Sequence, residues 1–240
     1  PPHRHPQHDG VNHHLPEWLE RTGNLPGQMI DGPLVTLSYA QSLDGCITAK
    51  RGRPTPLSGP ESSEATHLIR SHHEGVLIGV KTLISDDPRL NVRLVQGPHP
   101  RPVILDSNLN SPLDCRLWAE NNHPLILCGK SAPDEKSKEF QGKGVEIRRL
   151  ETDTHGRPLL SEILREVKDS GIDSVMVEGG GEVISSFITE GLWDRAAITV
   201  TPCWMSGYKP EPIIPRPIQL CHVTWIPLGG DVMCVGERMS

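Results

Sequence analysis

The segment Val175-Met-Val-Glu-Gly-Gly-Gly-Glu-Val-Ile184 joins a short apolar run to three consecutive glycines and the start of an amphipathic pattern. A continuous apolar run of this length is typical of a strand buried on both faces. Gly191 ends a predicted helix whose apolar face is formed by Val183, Ile184, Phe187 and Ile188. Because a buried strand that leads directly into a helix is the repeating unit of a parallel α/β sheet, the segment predicts that fold class.

The same alternation of strands and helices extends over the rest of the chain. Further strands are predicted around residues 35–39, 76–79, 103–106, 125–128, 145–147, 196–200, 223–226 and 232–235, and further helices over about 60–73 and 158–170. The last two strands are separated by Gly229-Gly230-Asp231, which predicts a hairpin. We therefore expect a single α/β domain over residues 31–240, with a mostly parallel central sheet flanked by helices and a C-terminal antiparallel hairpin.

Residues 1–30 have a different composition. Five of the twelve histidines lie among the first 14 residues, together with Pro, Asn, Asp and Gly. Such a composition predicts a disordered His/Pro-rich extension, in which Trp18 and Leu19 could form a short helical turn that packs on the domain. A His-rich tract can bind metal, but this one has neither a fixed spacing nor an adjoining cysteine pair, so we predict no metal site.

Charge and cysteine usage narrow the class of function. The 240 residues include 24 Lys and Arg against 30 Asp and Glu, a formal net charge of −6, which disfavours nucleic acid as a partner. No apolar run approaches the roughly 18 residues that a membrane span needs. The six cysteines are scattered without a C-x-x-C motif, as in proteins of a reducing compartment. We expect a cytoplasmic protein that binds a small molecule.

The glycine turn is the first candidate site. Glycines allow close approach of a ligand to the backbone, and a helix N-terminus offers free N–H groups, so Gly179–Gly181 can form an anion cradle suited to a diphosphate. A simple tight turn between strand and helix is the alternative. The turn is not the dinucleotide fingerprint of a Rossmann fold, because Ile184 stands where the third glycine belongs.

Two other polar segments follow predicted strands. In the segment from Gly79 to Arg93, Thr82 and Asp86 would share one face of a helical turn, and Arg93 offers a planar fork for a phosphate, with a surface ion pair as the alternative. Arg70 closes the first predicted helix, where it could also simply stabilise the helix C-terminus. The segment Ala40-Gln-Ser-Leu-Asp-Gly45 follows the first strand, although Asp-Gly alone is an ordinary turn signal.

Two common catalytic signatures are excluded. His72-x-Glu74 matches half of the zinc-deaminase signature, but Pro202-Cys203 is followed by Ser206 where the second cysteine belongs. No G-x-S-x-G sequence occurs, so the nucleophile elbow of an α/β-hydrolase is absent from the sequence.

The order of these segments resembles the reductase family of riboflavin biosynthesis. The motifs are A-x-S-L-D-G, L-I-R, G-V-K-T-L-I-S-D-D-P-R-L-N-V-R, V-I-L-D, V-E-G-G-G and L-W-D-R, spread over about residues 34 to 205. The family is related to the C-terminal half of bacterial bifunctional deaminase-reductases, and without a deaminase half this chain looks like the stand-alone fungal and archaeal form. The resemblance implies a dihydrofolate-reductase-like fold, NADPH as donor, a homodimer, and 2,5-diamino-6-ribosylamino-4(3H)-pyrimidinone 5′-phosphate as substrate.

The resemblance also implies roles for individual residues. It places NADPH against Ala40, Thr82, Asp86, Ser107, Gly180, Gly181, Glu182, Val183 and Ile184. It places the phosphorylated substrate against Arg70, Leu90, Arg93 and Glu178. For proton transfer we consider Glu178 and Asp44, with solvent or the substrate itself as alternatives, and Glu178 could instead accept a hydrogen bond from a ribose hydroxyl. Lys81 could face a cofactor 2′-phosphate, although a solvated surface lysine is the simpler interpretation.

Two departures from the family pattern keep other functions open. Cys46 stands where the family usually has Lys or Arg, so a cationic role there is lost or moves, for instance to Lys50. A Pro-rich loop over 202–217 replaces the more common leucine-rich segment. The alternatives are a sibling NADPH-dependent reductase of another pterin or pyrimidine substrate, and a non-enzymatic NADPH-binding protein.

Overall fold

The computed structural model describes residues 11–20, 32–119 and 123–239. Within them the chain forms, in order, α1 (Val11–Glu20), β1 (Leu34–Ser42), α2 (Pro60–Ser71), β2 (Gly75–Gly79), α3 (Val80–Asp86), β3 (Arg101–Leu105), a 3-10 helix (Arg116–Ala119), β4 (Leu125–Gly129), α4 (Asp134–Gln141), β5 (Glu146–Leu150), α5 (Leu160–Asp169), β6 (Ser174–Gly179), α6 (Gly181–Glu190), β7 (Arg195–Thr201), β8 (Leu220–Leu228) and β9 (Asp231–Arg238).

All nine of these strands join one sheet in the order β5-β4-β3-β2-β6-β1-β7-β9-β8. The strands from β5 to β7 are parallel, whereas β9 pairs antiparallel with both β7 and β8. The predicted fold class, a mostly parallel sheet with a C-terminal antiparallel hairpin, is thereby confirmed. Because β6 lies between β1 and β2, the carboxyl ends of these three strands adjoin, and at this edge an α/β sheet holds its ligands.

Helices cover both faces of the sheet. Val175 and Val177 of β6 face the cluster that includes α5 and Phe187 of α6, whereas Met176 faces the cluster that includes α1 and α2. All four of these side chains are buried, which explains the continuous apolar run that a strand with one exposed face would not need. Each such burial contributes roughly 1.5–3 kcal/mol, and Phe187→Ala should cost about 3–5 kcal/mol.

Helix α1 lies inside the stretch that we expected to be disordered. Leu15, Trp18 and Leu19 are buried against a cluster that includes Ile226 and Met233 of the hairpin. This packing agrees with the predicted helical turn at Trp18 and Leu19, but the ordered helix is longer, over residues 11–20. The expectation of disorder is therefore wrong for these residues, and its remainder, 1–10 and 21–30, lies outside the described residues.

Two local features also differ from expectation. The resemblance of Ser58-Gly-Pro-Glu61 to a capping box predicts a side-chain cap for the first helix, but Gly59 is the N-cap of α2 and no side chain caps it. Instead the Gly59 N–H donates to Asp231 Oδ2 at 2.8 Å. Helix α4 was not predicted, because DEKSKEFQ has no apolar face apart from Phe140. Among the described residues no helix is long and apolar enough to cross a membrane.

Candidate active site

The glycine turn lies where β6 ends, beside the ends of β1 and β2. Gly179 has φ +140°, a backbone conformation that favours glycine, and it forms a cis peptide with Gly180. Helix α3 follows β2 and packs closely beside α6, because a Cβ built on Gly79 would lie 2.9 Å from Val183 Cγ2. The amino ends of two helices therefore meet at one edge of the sheet.

The turn requires glycine at positions 180 and 181, because neighbouring side chains occupy the space that a Cβ would take. A Cβ on Gly180 would lie 2.8 Å from Thr82 Oγ1, and one on Gly181 would lie 2.7 Å from Tyr208 Cε1. The N–H of Ile184 donates to Gly180 O at 3.0 Å and so starts the hydrogen bonding of α6. The preceding N–H groups, those of residues 181–183, have no acceptor within the helix, so this terminus can bind an anion.

Glu182 directs its carboxylate towards two cations. Lys81 Nζ lies 2.8 Å from Glu182 Oε1, and Arg51 pairs with the same oxygen. The hydrogen bond from Lys81 and the charges of both cations lower the pKa of Glu182. Arg51 also lies 5.0 Å from the ring centroid of Tyr208. A basic loop, an aromatic ring and Lys81 therefore border the amino end of α6.

Arg70 and Glu178 form a largely buried ion pair beside the turn. The Arg70 Nη2 donates to Glu178 Oε2 at 2.6 Å, and Nε pairs with Oε1, so both carboxylate oxygens are bound. The two side chains are 11% and 13% exposed. Burial alone would lower the pKa of Arg70, but the carboxylate of Glu178 raises it above its ordinary value. Both carboxylate oxygens of Glu178 are thus held in place as hydrogen-bond acceptors of Arg70.

Arg93 joins this pair through Asn91. Asn91 accepts from Arg70 Nη1 at its backbone oxygen (3.1 Å) and from Arg93 Nη1 at Oδ1 (3.2 Å). Desolvation and the charges of Arg70 and Arg89 lower the pKa of Arg93, which marks a region of excess positive charge where an anionic ligand would be stabilised.

His67 supports the same loop from α2. Its Nδ1 accepts a hydrogen bond from the backbone N–H of Arg93 at 3.0 Å, and its side chain is buried. Burial, together with the charges of Arg70 and Arg93, lowers the pKa of His67 to about 4. The imidazole is therefore neutral near pH 7 and acts as an acceptor that fixes the Arg93 backbone.

Asp44 is occupied by the loop that follows β7. Its carboxylate accepts from the Ser42 hydroxyl at 2.6 Å and from the backbone N–H groups of Met205 and Ser206 at 3.0 and 2.8 Å. These hydrogen bonds hold the pKa of Asp44 well below its usual range. The geometry therefore supports Asp44 as an anchor for the 203–207 loop rather than as a proton donor.

Cys46 belongs to the same anchor. It is fully buried, and its Sγ accepts from the Gly207 N–H at 3.0 Å. Lys50, considered as a replacement cation, is exposed on the basic loop. The structure thus places a buried cysteine where the resemblance implies a cation.

The remaining predicted residues differ in their availability to a ligand. Ala40 and Ser107 are half-buried at the ends of β1 and β3, and Asp86 is exposed at the end of α3, one turn after Thr82. Leu90 has φ +53°, and its side chain is buried in the core with Val76 and Ile104. Only the backbone of Leu90 is thus placed to meet a ligand.

Sequence reasoning did not single out the roles of His67, Asn91, Arg51 and Tyr208. His67 could have been found, because it precedes Arg70 by three residues and so shares its helix face. Asn91 lies inside the D-D-P-R-L-N-V-R motif. Arg51 and Tyr208 reach the site from loops that are distant in sequence, and no local pattern marks them.

Comparison with known proteins supports the resemblance read from the sequence. The RibD C-terminal domain family matches residues 33–225. The riboflavin biosynthesis protein RibD of Aquifex aeolicus is 34% identical over 171 residues, 71% of this chain and 46% of that protein, so the chain spans about half its length. The 2,5-diamino-6-ribosylamino-4(3H)-pyrimidinone 5′-phosphate reductase of Candida glabrata is 31% identical over 245 residues, 93% of this chain and 97% of that protein.

Solved structures show the same fold. The riboflavin biosynthesis reductase Rib7 of Saccharomyces cerevisiae superposes with a TM-score of 0.73 at 28% identity, covering 93% of this chain and 99% of that one. Dihydrofolate reductase from Enterococcus faecalis, solved with NADP(H), gives a TM-score of 0.52 at 16% identity, with coverages of 86% and 97%. At that identity the likeness concerns the fold alone, and the predicted dihydrofolate-reductase-like fold is confirmed.

Proposed function

The chain belongs to the RibD C-terminal domain family, and we propose that it is the NADPH-dependent reductase of 2,5-diamino-6-ribosylamino-4(3H)-pyrimidinone 5′-phosphate in riboflavin biosynthesis. The observation that carries the proposal is the position of the Arg70–Glu178 pair directly beside the amino end of α6. Two sites for anionic groups, one made of backbone N–H groups and one of arginines, therefore adjoin at the carboxyl edge of the sheet. A reductase of a phosphorylated substrate needs both.

The glycine turn fits the diphosphate of NADPH. Its N–H groups can donate to phosphate oxygens, and glycine at positions 180 and 181 lets Thr82 and Tyr208 lie directly against the turn, because a Cβ at either position would come within 3.0 Å of them. When bound there, NADPH supplies a hydride. We assign cofactor contacts to Ala40, Thr82, Asp86, Ser107, Gly180, Gly181, Glu182, Val183 and Ile184.

The arginine pocket fits the 5′-phosphate of the substrate. Arg93 is exposed next to Arg70, and its guanidinium donates to Asn91 Oδ1. A phosphate would accept charge-assisted hydrogen bonds from Arg93, while Glu178 continues to neutralise Arg70. Leu90 contributes its backbone, since its side chain belongs to the core.

The reaction converts a ribosylamine into a ribitylamine. The sugar ring opens to an imine, after which C1′ receives a hydride and the nitrogen receives a proton. Arg93 and the α6 terminus hold the two reactants in register, which can supply much of the rate enhancement. Glu178, held by Arg70, orients a ribose hydroxyl by accepting its hydrogen bond. The proton then comes from solvent or from the substrate, because Asp44 is held ionised by its hydrogen bonds.

The test is oxidation of NADPH by the purified chain with the diamino compound, compared with its deaminated counterpart. Turnover on the diamino compound, with weak or no turnover on the deaminated one, would establish the activity and the order of the two steps. Turnover on the deaminated compound alone would contradict the proposed substrate.

Cys46 favours one second candidate, a sibling NADPH-dependent reductase of another pterin or pyrimidine substrate. A fully buried cysteine stands where the resemblance implies a lysine or arginine, so we infer a different substrate pocket at that position. This candidate predicts tight NADPH binding without turnover of either riboflavin precursor. If this chain is such a sibling enzyme, Cys46→Lys would not create the missing activity. If it is the pathway reductase, Cys46→Lys should be tolerated only if the 203–207 loop adjusts.

We also propose that the chain forms a homodimer. The support is the family, together with large exposed apolar side chains on the outer hairpin strand and the preceding loop: Trp204, Ile213, Val223 and Trp225. Light scattering of the purified chain would give twice the chain mass of 26.4 kDa if the proposal holds, and the mass of one chain if it fails.

A further inference from the structure

Three side chains with metal-binding atoms meet at the outer hairpin. Cys221, His222 and Glu237 bring Sγ, an imidazole nitrogen and a carboxylate oxygen within 4.8 Å of one another. The His222 Nδ1 lies 2.8 Å from Glu237 Oε2. The Cys221 Sγ lies 3.6 Å from the backbone oxygen of Glu237.

A β-bulge is the reason that neighbouring residues converge. Successive side chains of a regular strand point to opposite faces, so Cys221 and His222 would normally be separated by the sheet. The register shifts between Cys221 and Thr224, which leaves an extra residue on β8, and His222 has φ +50°. Bulges redirect side chains in this way, and here His222 is directed towards Glu237, the register partner of Cys221.

We propose that Cys221, His222 and Glu237 form a Zn²⁺ site. Thiolate, imidazole and carboxylate are all ligands of Zn²⁺, whereas Mg²⁺ and Ca²⁺ bind oxygen ligands. Zinc bond lengths of about 2.0–2.3 Å place neighbouring ligand atoms of a tetrahedron roughly 3.5 Å apart, so only small side-chain rotations separate the observed arrangement from a bound one.

The charges and the access also suit this ion. A Cys221 thiolate and the Glu237 carboxylate would balance its two positive charges, with one proton released from the thiol. Glu237 is 2% exposed, and the buried Arg195 lies opposite it in the register of β7 and β9. His222 is 49% exposed, so solvent reaches the fourth coordination position.

The site lies far from the chemistry. Glu237 and Cys221 are level with Arg195, the first residue of β7, and so lie at the amino edge of the parallel strands, opposite the glycine turn. Zinc would cross-link the edge strand β8 to β9 near α1. We therefore expect an effect on stability and no role in hydride transfer, so that the proposal is independent of the proposed function.

Cobalt substitution of the full chain tests this site. After treatment with a chelator, titration with Co²⁺ should give a thiolate-to-cobalt charge-transfer band that saturates at one ion per chain and is removed by Zn²⁺. The band should be absent in Cys221→Ser and present in Cys203→Ser, which removes another exposed thiol. His222→Asn, chosen because Asn tolerates positive φ, should weaken binding at least about 10-fold, whereas His72→Ala should not.

The histidines of residues 1–14 provide the main rival source of metal binding. Histidines alone give no thiolate band, so the readout separates the two sites. Binding without the band, or with a band that survives in Cys221→Ser, would overturn the proposal. Zinc should also raise the Tm of the wild type and leave that of Cys221→Ser unchanged. Circular dichroism would show that Cys221→Ser and His222→Asn fold.

Discussion

Replacement of Glu178 by Gln should destabilise the protein by removing one partner of a buried ion pair. The substitution keeps the shape of the side chain, so it creates no cavity. It removes the negative charge that balances the Arg70 guanidinium, whose side chain is only 11% exposed to solvent. Breaking such a pair costs about 3–5 kcal/mol when it is fully buried. Because Asn91 still accepts from Arg70, we expect the lower end, about 3 kcal/mol, which is a Tm decrease of roughly 10 °C for a protein of this size.

Urea unfolding of a double-mutant cycle measures the effect. The variants are Glu178→Gln, Arg70→Gln and the double variant. The double variant should be about 2 kcal/mol more stable than the sum of the two single effects predicts. Glu182→Gln is the matched control, because that ion pair with Lys81 lies on the surface, where the side chains are 74% and 42% exposed, and its loss should cost less than about 1 kcal/mol.

Inorganic phosphate adds a second readout. If Arg70 belongs to a phosphate pocket, phosphate should raise the Tm of Glu178→Gln more than that of the wild type, since the anion replaces the lost carboxylate. A cost for Glu178→Gln no greater than that of Glu182→Gln, together with additive effects in the cycle, would refute the reasoning that this pair is buried and coupled.

Three further predictions follow from the site and its surroundings. Arg93→Ala should raise KM roughly 10-fold or more with a smaller change in kcat, because the phosphate is bound almost equally in the ground state and the transition state. The dephosphorylated substrate is the control, and a loss of kcat at unchanged KM would contradict the prediction. Burial lowers the pKa of His73 to about 4, so its contribution to stability is present above the unfolded pKa near 6.5 and is lost as the pH falls towards 4. The free energy of unfolding should therefore fall between pH 7 and pH 5 by about 2 kcal/mol less in His73→Gln than in the wild type. An equal fall in both proteins would reject this assignment. Asp44→Asn should show the same pH dependence of kcat between pH 5 and 8 as the wild type, because the Asp44 carboxylate is ionised throughout that range. If the variant lost the rise or the fall of kcat with pH that the wild type shows, Asp44 would be identified as a proton donor.

Much of the fold could be predicted because the decisive signals are local. The apolar run 175–177 and the following glycines indicate a buried strand and a helix start within ten residues, and the structure has both. The position of β6 between β1 and β2 could not be predicted, because it depends on which buried strands pair across more than 100 residues. Only a short turn of helix α1 could be predicted, for a related reason: the full helix packs on the hairpin at the other end of the chain.

The candidate site divides in the same way. The motifs identify Arg70 at the end of a helix, and Arg93 and Glu178 in segments that follow or end a strand, but the sequence does not show that Asn91 bridges the two arginines. Asp44 illustrates the limit most clearly. Its neighbours suggest a turn, whereas its hydrogen-bond donors at 205 and 206 are 161 and 162 residues away, and only the folded chain shows that this carboxylate anchors a loop.

The most direct test of the proposed reaction is to follow the transferred hydrogen. Purified protein would be given the diamino pyrimidinone phosphate and NADPH carrying deuterium at the transferable position, and the product would be examined by mass spectrometry and NMR. We expect one deuterium at C1′ of a ribityl chain, with an intact pyrimidine ring. Deuterium on the ring, or an unlabelled and unreduced substrate while NADPH binds normally, would contradict it.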